Sequence, residues 1–172
     1  MSLDRFEHVS EEIFYTQSDI TVVSPNDIAA LKDVARVNAR NRVRICAHPD
    51  TDDALHEMII VMMHGIYVPP HRHVDKSESF HIIEGQMKVV IFEDDGQVQK
   101  IIDLGDVASG RAVFYRLASP KYHLVIPETE FVVFHEVTNG PFKKVDFHSV
   151  PWAPDEEGSK ADQQKFMQSF QI

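Results

Sequence analysis

The stretch GIYVPPHRHVDKSESFHIIEG, residues 65–85, gathers three histidines, two glutamates, an aspartate and a lysine between two apolar runs. Such a density of titratable groups fits either a hydrated surface hairpin or a metal site, and spacing separates the two. In a strand, residues i and i+2 project to the same side, so His71 and His73 point together and can take neighbouring corners of one ion. Glu78 follows a short loop, 74–77, where the chain can turn back and bring a carboxylate to face the two imidazoles. A fourth group has to come from farther along, and His123, at the start of the strand HLVIP after the turn ASPKY, is the candidate. Three neutral imidazoles and one carboxylate make an N3O donor set that suits Fe, Mn, Co, Ni, Cu or Zn and leaves positions open for water or substrate. The same parity excludes His81: with Glu78 inward, Phe80 and Ile82 share its side and His81 points away.

A site that processes a substrate also needs a group that moves protons and groups that hold the substrate. His135 and Glu136 close the strand FVVFHE, where alternation sends one of them inward and both faces are equally apolar. His135 and Tyr115 are the acid–base candidates, each on a strand close in sequence to His123. In RVRICAH, Arg42, Arg44, Cys46 and His48 share one face, while Val43, Ile45 and Ala47 share the other. Arg44 is a candidate for holding a carboxylate or phosphate, Lys76 for attracting an anionic substrate beside the ligands, and Tyr122 for lining the pocket. Cys46 reads as a small buried apolar residue and not as a nucleophile. His48, His56 and His64 have no partner spacing and read as structural or surface residues, and Glu84, Asp94 and Asp95 as turn and surface charges.

Three regions position these residues. In region 1–40, Ser24-Pro25-Asn26-Asp27 has the form of a helix start, with Ser24 as N-cap and Pro25 in the first turn. Ile28, Leu31, Val34 and Ala35 then fall on one face of a helical extension of roughly 12 to 15 residues. Region 41–151 reads as short strands divided by turns such as Asp95-Gly96, the pattern of a sandwich or barrel, and it lacks the 3.6-residue period of a wound α/β sheet. Region 152–172 begins as a loop and ends in a short helix or tail that brings Phe166, Met167 and Phe170 together.

The chain has 172 residues, 43% hydrophobic and 26% charged, which is a globular composition of about one domain. A formal charge of −10 disfavours nucleic acid and anionic membrane surfaces as partners. One cysteine excludes an internal disulfide and a Cys-rich zinc site. The first residues carry no apolar signal core and no apolar run reaches membrane-spanning length, so a cytoplasmic protein is expected.

The site motif resembles that of the cupin superfamily. The first cupin motif is a glycine, five residues, His-x-His, three or four residues, a glutamate, six residues and a glycine. Here Gly65, His71, His73, Glu78 and Gly85 stand at those places. The second motif keeps its histidine as His123, but Ala118, Pro120 and Pro127 stand where its flanking residues differ. Over most of the chain, RICAHPD, YVPPHRHVDKSESFHIIEG, FYRL, FVVFHEVTNGPF and WAP are similar to the WbuC-type cupin metalloproteins, bacterial proteins often encoded with O-antigen biosynthesis genes. The resemblance implies a mainly β protein, a cupin (double-stranded β-helix, jelly-roll-like) barrel with a small N-terminal helix-plus-strand extension, one divalent transition metal, and a sugar-related small-molecule substrate. The expected activity is metal-dependent isomerisation or epimerisation of a sugar or nucleotide-sugar in surface-polysaccharide biosynthesis. A metal-dependent dioxygenase and a non-catalytic binding or sensor protein are the alternatives. Pairing of two copies through exposed strands, giving a homodimer, is a further expectation.

Overall fold

The computed structural model describes residues 3–143 and 147–170. Alternating apolar residues build two facing sheets. The larger runs in the order β1 (Phe6–Ser10), β2 (Ile13–Thr16), β3 (Arg42–Cys46), β4 (Leu55–Met63), β11 (Phe131–Asn139), β6 (Glu78–Glu84) and β9 (Phe114–Leu117). The smaller runs β12 (Phe147–Ser149), β5 (His71–His73), β10 (Tyr122–Pro127), β7 (Gln86–Phe92) and β8 (Val98–Gly105). Among the described strands every pairing is antiparallel except β2 with β3. Between the sheets lies one core, with Met58, Ile60, Phe80, Ile82 and Phe134 from the larger facing Met87, Val89 and Val125 from the smaller.

The chain changes sheets between β6 and β7 at a single residue, Gly85, whose φ is +81°. A Cβ there would lie 2.2 Å from the Phe131 carbonyl oxygen, so only glycine lets the two sheets meet so closely.

The helix α1 (Pro25–Val37) starts where the sequence places it. Ser24 Oγ accepts from the Asp27 amide, and the Asp27 carboxylate accepts from the Ser24 amide. Leu31 and Ala35 bury against Val43, Ile45, Val61 and Val133, the outer face of the larger sheet. Region 1–40 also contains the strands β1 and β2, which the sequence reading did not assign. Because β2 runs parallel to β3 and α1 links them, this region forms a β–α–β crossover whose strands continue the larger sheet. At the other end, α2 (Lys160–Gln168) packs Phe166 and Met167, with Phe170 just beyond, on Val90, Phe92, Leu124 and Ile126 of the smaller sheet. No described helix is long and apolar enough to cross a membrane.

Candidate metal centre

Strands β5 and β10 pair at one register position, His71 opposite His123. That cross-strand pair brings the two rings to 4.5 Å between centroids, and His73, two residues along β5, joins them. One ring nitrogen from each of the three lies within 4.8 Å of the other two. Glu78 enters from the first position of β6, 4% exposed, with Oε1 3.1 Å from His123 Nε2 and Oε2 3.9 Å from His73 Nε2.

The far nitrogens decide which atoms face the centre. His71 Nδ1 lies 2.9 Å from the Pro69 carbonyl oxygen, and His123 Nδ1 lies 3.2 Å from that of Lys121. A carbonyl only accepts, so each Nδ1 carries the proton and each Nε2 presents a bare lone pair. Burial, helped at His71 by the other two imidazoles, keeps both rings neutral: His71 is held well below the usual value and His123 down to about 4. Glu78 Oε1 is buried, accepts no hydrogen bond, and so faces the His123 lone pair across 3.1 Å. Two lone pairs at that range repel unless a metal ion or a proton lies between them, and burial pushes the Glu78 pKa up, which favours the proton when no metal is bound. The residues therefore fit a divalent transition metal, and two ligands about 2.1 Å from one ion at a right angle would stand about 3.0 Å apart.

The three histidines and Glu78 line a cavity of about 460 Å³. Its far wall is the larger sheet, where Cys46, Met58, Glu136 and Phe80 stand in one row across β3, β4, β11 and β6. Glu136 is half-buried on the cavity wall, between Met58 and Phe80 of the neighbouring strands and near Glu78. Desolvation, with the Glu78 charge second, pushes its pKa up to about 8, only partly offset by Arg44. Arg44 also lines the cavity, and its Nε is buried without a hydrogen-bond partner.

Comparison with known proteins bears on the fold. A family model described as a domain of unknown function, DUF6016, matches residues 23–104, somewhat less than half of the chain. No curated protein matches. Among solved structures, protein SO0799 from Shewanella oneidensis superposes with a TM-score of 0.53 at 12% identity, over 65% of this chain and 75% of that one. The capsular polysaccharide assembling protein CapF from Staphylococcus aureus gives 0.51 at 16% identity, over 66% of this chain and 33% of that one. The fold is a cupin barrel. Oxalate decarboxylase OxdC from Bacillus subtilis is a more distant likeness, with a TM-score of 0.46 at 20% identity over 56% of this chain and 24% of that one.

The cupin barrel brings together His71, His73, Glu78 and His123, the four residues of the expected donor set, with Arg44 and Lys76 on the same cavity. Lys76 donates from Nζ to the Pro141 carbonyl at 2.6 Å, beside the Phe142 ring. Tyr115 faces the barrel interior against Phe80, its hydroxyl buried without a partner. Burial, then the charges of Glu78 and Glu136, push its pKa well up, so it is an interior neighbour of the carboxylates and not a wall of the cavity. Two further expectations are corrected. His135 does not line the cavity: it lies on the outer face of β11, Nε2 3.6 Å from Glu57 Oε1, and Glu136 points in. Tyr122 also faces outward, with Arg72 4.5 Å above its ring and Trp152 at its edge. Strand alternation requires this, since its neighbour His123 points in. His48 and His56 are neither isolated nor superficial. Both are 5% exposed and stack at 4.1 Å on the cavity wall. Arg40, Glu12 and Glu156 also line the cavity and were absent from the sequence reading. Arg42 carried an alternation signal, but the positions of Glu12 and Glu156 follow from long-range folding alone.

Proposed function

We propose that this cupin is a metal-dependent enzyme that moves a proton on a small, sugar-derived anionic substrate, an isomerisation or epimerisation. Carrying the reading is Glu136: a second carboxylate, half-buried and outside the donor set, on the same cavity as the three imidazoles. An acid held near neutrality beside a bound substrate is what general acid–base catalysis needs. Glu136 would take a proton from a carbon or hydroxyl of the substrate and return it. Arg44 would orient an acidic oxygen, with Lys76 adding positive charge. His71, His73, Glu78 and His123 would hold the metal, which when bound supplies Lewis-acid polarisation of a substrate oxygen. The walls formed by Met58, Ile60, Phe80 and Phe134 would exclude water from the reacting atoms. A cavity of about 460 Å³ is of the size that encloses a small ligand. The resemblance to WbuC-type cupins, and the fold shared with a capsular polysaccharide assembling protein, support a setting in bacterial surface-polysaccharide synthesis.

The test is solvent deuterium uptake into sugar nucleotides by protein carrying its native metal. Glu136→Gln should cut uptake by roughly 10²- to 10⁴-fold and leave metal content within a few-fold, whereas His73→Ala should lose both. Full uptake by Glu136→Gln overturns the role of Glu136. Oxygen consumption by iron-loaded protein without any uptake would make the site a dioxygenase, and affinity with neither would make it a binding protein.

A further inference from the structure

Four charges meet at the rim of the cavity. Glu12, in the turn between β1 and β2, places Oε1 3.1 Å from Arg40 Nη1 and Oε2 2.9 Å from Arg42 Nε. From the opposite side comes Glu156, in the loop before α2, whose Oε1 contacts Arg40 Nη2 closely and lies 3.6 Å from Arg42 Nη2. All four residues line the cavity that contains the three imidazoles. Two guanidinium groups side by side on a ligand-accessible wall form a receptor for an oxyanion, and here each carboxylate spans both.

The two carboxylates are held differently. Glu12 is fixed by strand pairing: its carbonyl accepts the Arg44 amide at 2.8 Å, and its side chain is 21% exposed. Glu156 is 38% exposed and lies on a loop with firm ends and a light middle. Trp152 anchors one end against Phe92 and against Gly96, where a Cβ would come within 2.8 Å of the indole. At the other end α2 is anchored through Met167 and Phe170. In between, the Pro154 carbonyl accepts from Tyr67 Oη at 2.7 Å, and the Asp155 and Glu156 carbonyls accept from the Gln163 amide at 2.7 and 2.9 Å. The cluster of two cations and two anions is neutral. An entering anion that left Glu156 in place would add uncompensated negative charge, whereas one that displaced it would preserve the balance.

We propose that Arg40 and Arg42 are the binding site for the phosphate or carboxylate group of the cavity's ligand, that Glu156 occupies this site in the free protein, and that ligand binding therefore releases the 153–158 loop. This adds, for the substrate class proposed above, an anionic group at the rim apart from the acidic oxygen assigned to Arg44, and it stands on the rim charges and needs neither the metal nor turnover.

Inorganic phosphate and malonate, titrated separately into the full chain at low salt and followed by calorimetry, test it and distinguish phosphate from carboxylate. Glu156→Gln removes the internal competitor and should tighten the preferred anion by about three- to tenfold. Arg40→Gln and Arg42→Gln should each weaken it at least about tenfold; Arg40 is half exposed, so its variant tests the site even if Arg42→Gln fails to fold. Hydrogen exchange of the Gly158 amide, which donates to the Asp155 carbonyl at 3.1 Å, should speed up several-fold when wild-type protein binds the anion, and should be fast without it in Glu156→Gln. Chelator-treated wild-type protein should keep anion affinity within about twofold, so a failed metal reading leaves this result standing. Unchanged or weaker binding by Glu156→Gln, no change in loop exchange, or anion affinity lost on chelation and kept without the arginines would overturn the proposal.

Discussion

What separates a ligand histidine from a packing histidine is the state of its far nitrogen. His71 and His123 have theirs committed to backbone carbonyls, so the lone pairs that remain converge with Glu78. His48 uses Nδ1 to accept the Glu57 amide at 3.1 Å and stacks on His56, a packing arrangement. Burial also moves the pH at which protons compete with metal. A free imidazole titrates near 6.5, but His123 is held at about 4 and His71 lower than usual. Protonation, and with it metal release, is therefore displaced downward from the free-imidazole value. Equilibrium dialysis across pH should show half the metal lost between about pH 4 and 6. Half-loss above about 6.5 would mean that the ligand imidazoles are hydrated and that the closed geometry is wrong. At this scale the sequence was most legible where chemistry is local: the i, i+2 pair of β5 and the short reach to Glu78. It was least legible at His135 and Glu136. Which of them points inward follows from Glu136 standing opposite Phe80, whose side Glu78 sets, and that pairing joins segments far apart in the chain.

At the scale of elements, α1 shows how a local signal survives into the fold. Ser24 and Asp27 announce the helix start in the sequence, and the structure adds Arg5, whose Nη2 lies 2.6 Å from Asp27 Oδ2. Burial of Asp27 acts to raise its pKa, yet the hydrogen bonds from Arg5 and from the Ser24 hydroxyl and amide outweigh it and hold the carboxyl down to about 2. A carboxyl depressed in the folded state stabilises fully above its ordinary value of 3.8, and that contribution is lost as pH falls from 3.8 to about 2. Asp27→Asn should therefore cost about 1–3 kcal/mol at neutral pH, or a fall in Tm of roughly 2–10 °C for a chain of this size. Thermal melts of the two proteins should converge as pH drops toward about 2. A constant difference across that range would mean that the cap acts by shape and not by charge. The strands β1 and β2 left no comparable trace. FEHVS and IFYT are short, and their exposed positions carry polar and apolar residues alike, so pairing with β3 defines them more than their own pattern does.

For the molecule as a whole, the N-terminal pair completes a sheet that would otherwise end at β3. Ile13, Phe14 and Tyr15 stand beside Arg44, Ile45 and Cys46, and Phe6 and Phe14 close the cluster under α1 together with Leu31, Val43 and Ile45. The metal ligands sit elsewhere, on β5, β6 and β10. A chain beginning at Ser18 therefore separates stability from metal binding. Deleting two buried phenylalanines costs about 3–6 kcal/mol, which should lower Tm by roughly 10 °C. The edge of β3, stripped of its partner, offers unpaired amides and carbonyls to another copy, so size-exclusion chromatography should show association that grows with protein concentration. Metal content should stay within a few-fold of the full chain, because no ligand and no carbonyl tying a ligand's Nδ1 is removed. A truncated protein that melts at the same temperature and elutes as the full-length chain does would show that β1 and β2 are an appendage. One that folds but loses its metal would show that the N-terminal strands hold the donor set in place across the barrel.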